Sequence, residues 1–146
     1  MFLGQFYHNL DEKGRLTIPV RYRDLLMTDG AYLLRGFDQN LMVLPSHSFN
    51  IIYQRINRMS LTDPVARLLR RLIFSAAAPV DFDKTGRILI PQFLREEVGI
   101  QNEAVIVGAG DYIEIWSPIG WHSQNEQLHD TGTNASRFAA LDLASS

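Results

Sequence analysis

The sequence predicts an α+β protein, mainly β, in which two copies of one β-β-α-β-β unit form a small closed barrel around a pseudo-two-fold axis. The first reason is an internal repeat: residues 11–19 (DEKGRLTIP) return 72 positions later as residues 83–91 (DKTGRILIP) with five identities. The same offset continues outward through further matched pairs: Arg23 with Arg95, Asp24 with Glu96, Gly36 with Gly108, and Leu41 with Ile113. The second reason is size, because a unit of about 45 residues shields too little core alone, whereas two closed on each other leave no exposed strand edge.

Each copy is expected to follow the same order of elements. A first strand leads into a turn that ends at Gly14 or Gly86, where glycine suits a position with positive φ, and a second strand of aliphatic and β-branched residues follows. Pro19 and Pro91 end the second strands and serve as first residues of short helices, since their missing N–H has no partner there in any case. The predicted ranges are strands 2–8 and 79–82, helices 20–27 and 92–98, and hairpins of 31–36 with 41–44 and of 103–108 with 112–116.

Helices are predicted to join the two copies. Ser46 is placed as the N-cap of a first joining helix, and Asp63 caps a second one that begins at Pro64. A third helix is expected over 119–128, and the residue types from His129 onward predict a loose tail with a helical turn or two within 137–143. The predicted organisation is repeat 1 over 1–50, connecting helices over 51–78, repeat 2 over 79–125 and a flexible C-terminal tail over 126–146.

The composition is that of an ordinary globular chain. Its 146 residues are 46% hydrophobic and 21% charged, which excludes wholesale disorder and low-complexity classes. Without cysteine, a disulfide framework, a thiolate metal site and a cysteine nucleophile are all excluded. No secretory signal is visible at the start, and the most apolar stretch, residues 72–80, is far shorter than the roughly 20 residues that cross a bilayer. A soluble cytoplasmic protein is expected.

The net charge of −2 hides an uneven distribution of charges. Residues 46–80 carry five arginines and one aspartate, whereas residues 81–146 carry four bases and ten acids. Two hypotheses stay open for the arginines of the connecting helices. They form a solvated helix face, or they pair with the acidic half of a neighbouring subunit and so help to close a ring of identical chains.

The repeated Asp-x-x-x-Arg motif also admits two hypotheses. In the structural one, Asp11 and Asp83 accept hydrogen bonds from turn N–H groups and pair with the arginine four residues later, which fixes the strand register. In the functional one, the basic residues bind nucleic acid, because an arginine fork beside a lysine on a rigid turn suits phosphate oxygens and guanine edges. The DNA-binding candidates are Lys13, Arg15, Arg21 and Arg23 in the first copy and Lys84 and Arg87 in the second. The residues expected to shape the motif are Asp11, Gly14, Pro19, Asp83, Gly86 and Pro91.

With two Asp-x-x-x-Arg motifs, each followed by a proline, the chain resembles the MraZ family of bacterial transcriptional regulators, which are built from tandem AbrB-like units. The resemblance covers residues 1 to about 125 and implies a pseudo-two-fold, swapped-hairpin AbrB-like β-barrel. It further implies ring-shaped homo-oligomers (octamers or dodecamers) that bind short direct repeats in double-stranded DNA upstream of their own division and cell-wall operon. A repressor associated with the nucleoid is expected, with Arg15 at the major groove and Lys13, Arg21 and Arg23 on phosphates. The second copy has Thr85 where the first has Lys13, so the first copy is the stronger candidate for DNA contact.

Two other classes of function are alternatives to this one. Asp11 and Asp83, related by a pseudo-two-fold axis, suggest the shared-proton dyad of aspartic proteases, but neither motif matches Asp-Thr-Gly and each aspartate has an arginine four residues away. No other catalytic motif, metal site or cofactor site is predicted, and an enzyme is not expected. The remaining alternative is a non-catalytic assembly scaffold or an antitoxin-like AbrB relative whose partner is a protein.

Overall fold

The structure is a computed structural model that describes residues 1–143, and within them the chain forms an α+β fold with a mainly antiparallel sheet. The strands are β1 (Gln5–Asn9), β2 (Arg15–Thr17), β3 (Ala31–Arg35), β4 (Leu41–Pro45), β5 (Ala78–Pro79), β6 (Arg87–Leu89), β7 (Glu103–Gly108) and β8 (Ile113–Trp116). The helices are α1 (Val20–Asp29), α2 (Ser46–Asn57), α3 (Pro64–Phe74), α4 (Gln92–Val98), α5 (Pro118–Leu128) and α6 (Thr131–Ala139). The predicted order of elements, twice β-β-α-β-β around two joining helices, is therefore confirmed.

The two copies exchange their first strands. In the larger sheet, of order β1-β7-β8-β4-β3-β5, β1 of the first copy pairs with β7 of the second, and β5 of the second copy pairs with β3 of the first. The motif strands β2 and β6 pair with each other in a separate two-stranded sheet. Since β1 and β5 lie at opposite edges of the larger sheet, closure of the strands into one barrel stays a prediction.

The pairing registers locate the pseudo-two-fold axis. Leu16 faces Ile88 in the β2–β6 pair, and Met42 faces Glu114 in the β4–β8 pair, and both pairs join residues 72 positions apart. Where a residue faces its own counterpart in an antiparallel pair, the two-fold axis that relates the strands passes between the two residues. The sequence repeat is thus also the spatial symmetry of the fold.

The principal core lies around this axis and is contributed by both copies. Leu16, Ile18, Ile88 and Ile90 are all at most 1% exposed. They pack in one cluster with Tyr22 of α1, whose hydroxyl donates to the carbonyl oxygen of Leu3. Full burial of an aliphatic side chain contributes about 1.5–3 kcal/mol, so the shared core is what makes two short units stable together.

The connecting helices cover a second core. Phe49 and Ile56 of α2 and Ile73 of α3 pack on Leu34 and Met42 of the first copy's hairpin. In α3 the Asp63 side chain accepts a hydrogen bond from Val65 N at 2.9 Å, and Pro64 is the first helical residue, which confirms that predicted helix start. No helix within residues 1–143 is both long and apolar enough to span a membrane.

α1 and α4 begin at Val20 and Gln92 as predicted, but the residues at three helix starts have roles other than the predicted ones. Ser46 is not an N-cap: α2 follows β4 without a break, Pro45 occupies the cap position, and the N–H of Ser46 donates to Gly30 O at 3.0 Å. Pro19 and Pro91 occupy the cap positions of α1 and α4 and are not their first helical residues. The extended ψ of about 140–145° at both prolines keeps them in the strand-to-helix turn.

The first strand of each copy is displaced from its predicted range. The prediction of 2–8 becomes β1 at Gln5–Asn9, because Phe2 forms only an isolated bridge with Gly110. The prediction of 79–82 becomes the two-residue β5, Ala78–Pro79. Pro79 has no N–H to donate, and the last hydrogen bond toward β3 comes from Val80 N to Ala31 O, so the ladder ends there.

The loose tail predicted from His129 onward is wrong for Thr131–Ala139, which form α6. The Asp130 side chain accepts a hydrogen bond from Thr133 N at 3.3 Å and caps this helix. The side-chain amide of Asn134, which is 9% exposed, donates to the carbonyl oxygens of Gln127 and Leu128 at the end of α5. These bonds attach α6 to α5 although its residue types favour helix only weakly. The predicted tail residues 144–146 lie outside the described part of the chain.

Candidate nucleic-acid interface

In the first copy, the motif turn is built around the carboxylate of Asp11. One oxygen, Oδ1, accepts from the backbone N–H groups of Lys13 at 3.0 Å and Arg15 at 2.9 Å, and Oδ2 accepts from Nε of Arg15 at 2.5 Å. The turn closes with Gly14 N donating to Asp11 O at 3.0 Å. Gly14 has a φ of +85°, a left-handed backbone conformation that residues with a Cβ rarely adopt.

The turn of the second copy has the same construction with one additional bond. Asp83 Oδ1 accepts from the N–H groups of Thr85 and Arg87, both at 2.9 Å, and Oδ2 accepts from Nε of Arg87 at 2.8 Å. Thr85, which replaces Lys13 of the first copy, adds a bond from its hydroxyl to Asp83 Oδ1 at 2.9 Å. Gly86 has φ +79°. The threonine thus adds a bond inside the turn where the first copy presents a cation.

Both motif carboxylates are held in the charged form. The N–H of Arg15 lowers the pKa of Asp11, and the N–H of Arg87 lowers the pKa of Asp83 well below its ordinary range. Bonds to charged acceptors of this kind favour the ionised state. A shared-proton dyad requires the opposite, namely one carboxyl whose pKa is raised. The geometry therefore disagrees with the protease hypothesis.

The two turns are joined across the pseudo-two-fold axis. Besides the β2–β6 ladder, Ile18 N donates to Gly86 O at 3.1 Å and Ile90 N donates to Gly14 O at 2.9 Å. Nη1 of Arg87 also lies 3.3 Å from Oδ2 of Asp11, so this carboxylate contacts the arginines of both motifs. The structure brings Asp11, Arg15, Asp83 and Arg87 into one ion-pair network.

The remaining predicted cations are distributed around this network. Lys13 and Lys84 are exposed on the two turns. Arg21 is exposed on α1, with its guanidinium carbon 5.7 Å from the ring centre of Phe6. Arg23 differs from them, because its Nε donates to Ile18 O at 2.6 Å and its guanidinium lies against Gly86.

Two features of this region were not predicted. Arg95 lies over Gly14 as Arg23 lies over Gly86, and the 72-residue offset between the two arginines was the signal that could have revealed the equivalence. Arg35 pairs with Glu97 through two bonds, Nε to Oε2 at 2.7 Å and Nη2 to Oε1 at 2.8 Å. No sequence pattern indicates the Arg35–Glu97 pair, because its partners lie 62 residues apart.

Arg35 connects three elements. Besides its two bonds to Glu97 of α4, its Nη1 donates to Leu72 O at 3.2 Å and to the Ser75 hydroxyl at 2.7 Å at the end of α3. The bond to Glu97 raises the pKa of Arg35, and the same bond lowers the pKa of Glu97. The strand β3 is thereby attached both to a connecting helix and to the helix of the other copy.

Comparison with known proteins identifies the family of this chain. The model of the family described as "MraZ protein, putative antitoxin-like" matches twice, over residues 1–72 and 73–142. This chain belongs to the MraZ family. The resemblance expected from the two motifs is confirmed, and the division between the two matches agrees with the 72-residue offset between the repeats.

Curated MraZ relatives match along nearly the whole chain. A protein of Thermomicrobium roseum is 44% identical over 142 residues, which are 97% of this chain and 99% of the relative. One of Herpetosiphon aurantiacus is 45% identical over 130 residues (89% and 90%), and one of Dictyoglomus thermophilum is 46% identical over 127 residues (87% and 86%). All three are named "Transcriptional regulator MraZ". The curated members of the family that match this chain are thus named as regulators of transcription and not as enzymes.

Proposed function

We propose that this protein is a sequence-specific DNA-binding transcription factor whose contact surface is the pair of joined motif turns. The observation that carries the proposal is their placement: two rigid turns, paired through β2 and β6, bear the basic residues of both copies on one structural unit. The names of the MraZ relatives support regulation of transcription as the purpose of that surface.

The contacts are proposed to differ between the two copies. Arg15, whose side chain is 36% exposed, reads or clamps the major groove, while Lys13 and Arg21 bind phosphates. In the second copy, Lys84 supplies a phosphate contact and Arg87 lies beside the groove. Arg87 is 28% exposed and pairs with two carboxylates, whereas Arg15 pairs with one, and this favours the first copy as the stronger binder.

A single pair of turns offers few cations for a protein of net charge −2. Each phosphate contact contributes a modest, salt-sensitive share of affinity. A ring-shaped homo-oligomer that presents the same turns to short direct repeats multiplies these contacts through effective concentration. We therefore propose such a ring, with each protomer folded as a swapped-hairpin AbrB-like barrel, acting as a repressor at the nucleoid on repeats upstream of its own division and cell-wall operon.

The test is binding of the purified full chain to a duplex of the DNA immediately upstream of its own gene. Footprinting is expected to show protection at regularly spaced repeats. Arg15→Ala is expected to abolish the gel shift of this duplex while light scattering shows the oligomer unchanged. Asp29→Asn serves as a control away from the turns, because Asp29 lies at the far end of α1 and its side chain bonds only His47 N among the described contacts.

Two results would contradict the proposal. If the wild-type chain binds the upstream duplex no better than a scrambled duplex of equal length, sequence-specific DNA binding fails. If Arg15→Ala binds like the wild type, the assignment of the contact surface fails while DNA binding itself stands. Capture of a toxin-like protein in place of the upstream DNA would favour the antitoxin-like alternative.

A further inference from the structure

Two arginines cross from one copy to the other at the motif turns. Arg23 lies on α1 of the first copy, its Nε donates to Ile18 O at 2.6 Å, and its guanidinium lies against Gly86 of the second copy. Arg95 lies on α4 of the second copy, its Nε donates to Ile90 O at 2.9 Å, and its guanidinium lies against Gly14 of the first. The arrangement is reciprocal, and it follows the pseudo-two-fold axis.

The backbone around each arginine belongs to the same crossing. Ile18, whose carbonyl oxygen accepts from Arg23, uses its own N–H to bond Gly86 O at 3.1 Å. Ile90, whose carbonyl oxygen accepts from Arg95, bonds Gly14 O at 2.9 Å. Each motif turn is therefore held by one backbone bond and one guanidinium from the opposite copy.

The glycines are required by this contact as well as by their φ angles. A Cβ built on Gly14 would lie 2.6 Å from Nε of Arg95 and 2.7 Å from its central carbon, which is closer than real Cβ contacts come. A Cβ on Gly86 would overlap the guanidinium of Arg23 in the same way. Arginine and glycine thus form a matched pair on each side of the axis.

We propose that Arg23 and Arg95 are positioning residues for DNA binding: each holds the motif turn of the opposite repeat, so that Arg15 and Arg87 are presented as one rigid unit. This inference rests on the proposed function and changes the role of Arg23 from the phosphate contact expected from sequence. Because Arg23 covers Gly86, loss of its guanidinium loosens the turn from Asp83 to Arg87 more than the turn of its own copy.

The two roles of Arg23 make different demands on its side chain. A phosphate contact needs a positive charge, which lysine also supplies. A positioning role needs the Nε–H that bonds Ile18 O and the planar group that covers Gly86, and lysine supplies neither. Arg21, exposed two residues earlier on the same helix, serves as the matched residue for which the phosphate role is proposed.

The first experiment follows the backbone amides of both turns by NMR in Arg23→Lys, Arg23→Ala and Arg21→Ala of the full chain. Both Arg23 variants are expected to shift the amides of Gly86 and Arg87 and to speed their hydrogen exchange, with smaller changes at Gly14 and Arg15. Arg95→Lys is expected to give the mirror result. Arg21→Ala is expected to move neither turn. If the Gly86 amide is unmoved in both Arg23 variants, the proposal is overturned.

The second experiment measures affinity for the upstream duplex as a function of salt. Arg23→Lys is expected to weaken binding by about tenfold, the size of one lost well-placed contact, with the salt slope unchanged. Arg21→Ala is expected to reduce the slope of log affinity against log salt by about one, as the loss of a phosphate contact does.

Wild-type affinity in Arg23→Lys, or a reduced slope in Arg23→Ala, would overturn the positioning role. Failure of the wild type to bind would overturn the proposed function instead, while the amide shifts still decide whether the arginines hold the turns.

Discussion

Arg95 lies over Gly14, so that a Cβ on this glycine would stand 2.6 Å from Nε of the arginine. The two residues belong to different copies of the repeat and are 81 positions apart, yet they meet because β2 and β6 pair across the pseudo-two-fold axis. The contact explains why a turn made by local hydrogen bonds depends on a distant helix.

Gly14→Ala is expected to destabilise the fold by more than the roughly 1–2 kcal/mol that a left-handed conformation costs a residue with a Cβ, because Arg95 must also be displaced. Urea unfolding followed by circular dichroism measures the loss. Gly132→Ala is the control, since Gly132 lies in α6 with nothing within 4 Å of an added Cβ. Alanine there is expected to be neutral or to stabilise by up to about 1 kcal/mol. Equal losses in the two variants would contradict the role given to Arg95.

Acid is expected to weaken the motif turns. The folded-state pKa values of Asp11 and Asp83 are lowered, so their contribution to stability is fully present above the unfolded-state pKa of about 3.9 and is lost as the pH falls through the folded-state values. Urea unfolding between about pH 7 and pH 3 should show stability falling below about pH 4. Asp83→Asn removes one of the two motif carboxylates, so the variant is expected to be less stable at neutral pH and to lose less on acidification. The same pH dependence in the variant and the wild type would refute this assignment.

The Arg35–Glu97 pair is expected to contribute unequally through its two partners. The variant Glu97→Gln loses only the ion pair. Because Glu97 is 41% exposed and water screens the pair, the unfolding free energy is expected to fall by about 1 kcal/mol or less. Arg35→Ala also removes the bonds to Leu72 O and the Ser75 hydroxyl, and a loss of about 2 kcal/mol is expected. Urea unfolding of the two single variants and the double variant measures both decreases in unfolding free energy. Identical losses in the single variants would show that the bonds to α3 contribute nothing.

Removal of the α6 cap is expected to loosen α6 alone. Asp130→Ala deletes the side chain that accepts from Thr133 N, and hydrogen exchange should accelerate over Thr131–Ala139. The control is Asp130→Asn, which retains an oxygen able to accept the same bond. Unchanged exchange in Asp130→Ala would mean that the Asn134 bonds to the end of α5 hold the helix without the cap.

The two motif arginines are expected to differ in their effect on DNA binding. Arg15 pairs with one carboxylate, whereas Arg87 pairs with Asp83 and also approaches Asp11 at 3.3 Å. Arg15→Ala should therefore weaken binding to the upstream duplex more than Arg87→Ala, while Arg87→Ala should lower the unfolding free energy more. Fluorescence anisotropy and urea unfolding separate the two effects. The reverse order of affinities would make the second copy the principal contact.

What the sequence determined by itself is the repeat, the order of elements and the construction of each turn. These features depend on neighbours: Asp11 bonds N–H groups two and four residues later, and Gly14 takes a conformation that its own missing side chain permits. Residue types a few positions apart encode such local bonds, so the sequence predicts them. The same reasoning failed at Ser46, which is the first residue of α2 because Pro45 at the end of β4 occupies the cap position, and at α6, which weak helix formers build because Asn134 bonds the end of α5.

Only the tertiary structure decided which strands and side chains of one copy contact the other copy. The exchange of β1 and β5 between the copies, the pairing of Arg35 with Glu97, and the covering of Gly14 by Arg95 all join residues dozens of positions apart. Arg23 shows the difference best, because its sequence context is that of a surface cation and its Nε is nevertheless bonded to a carbonyl oxygen of the strand-to-helix turn. The path of the whole chain brings these partners together, and no short stretch of residues contains that path.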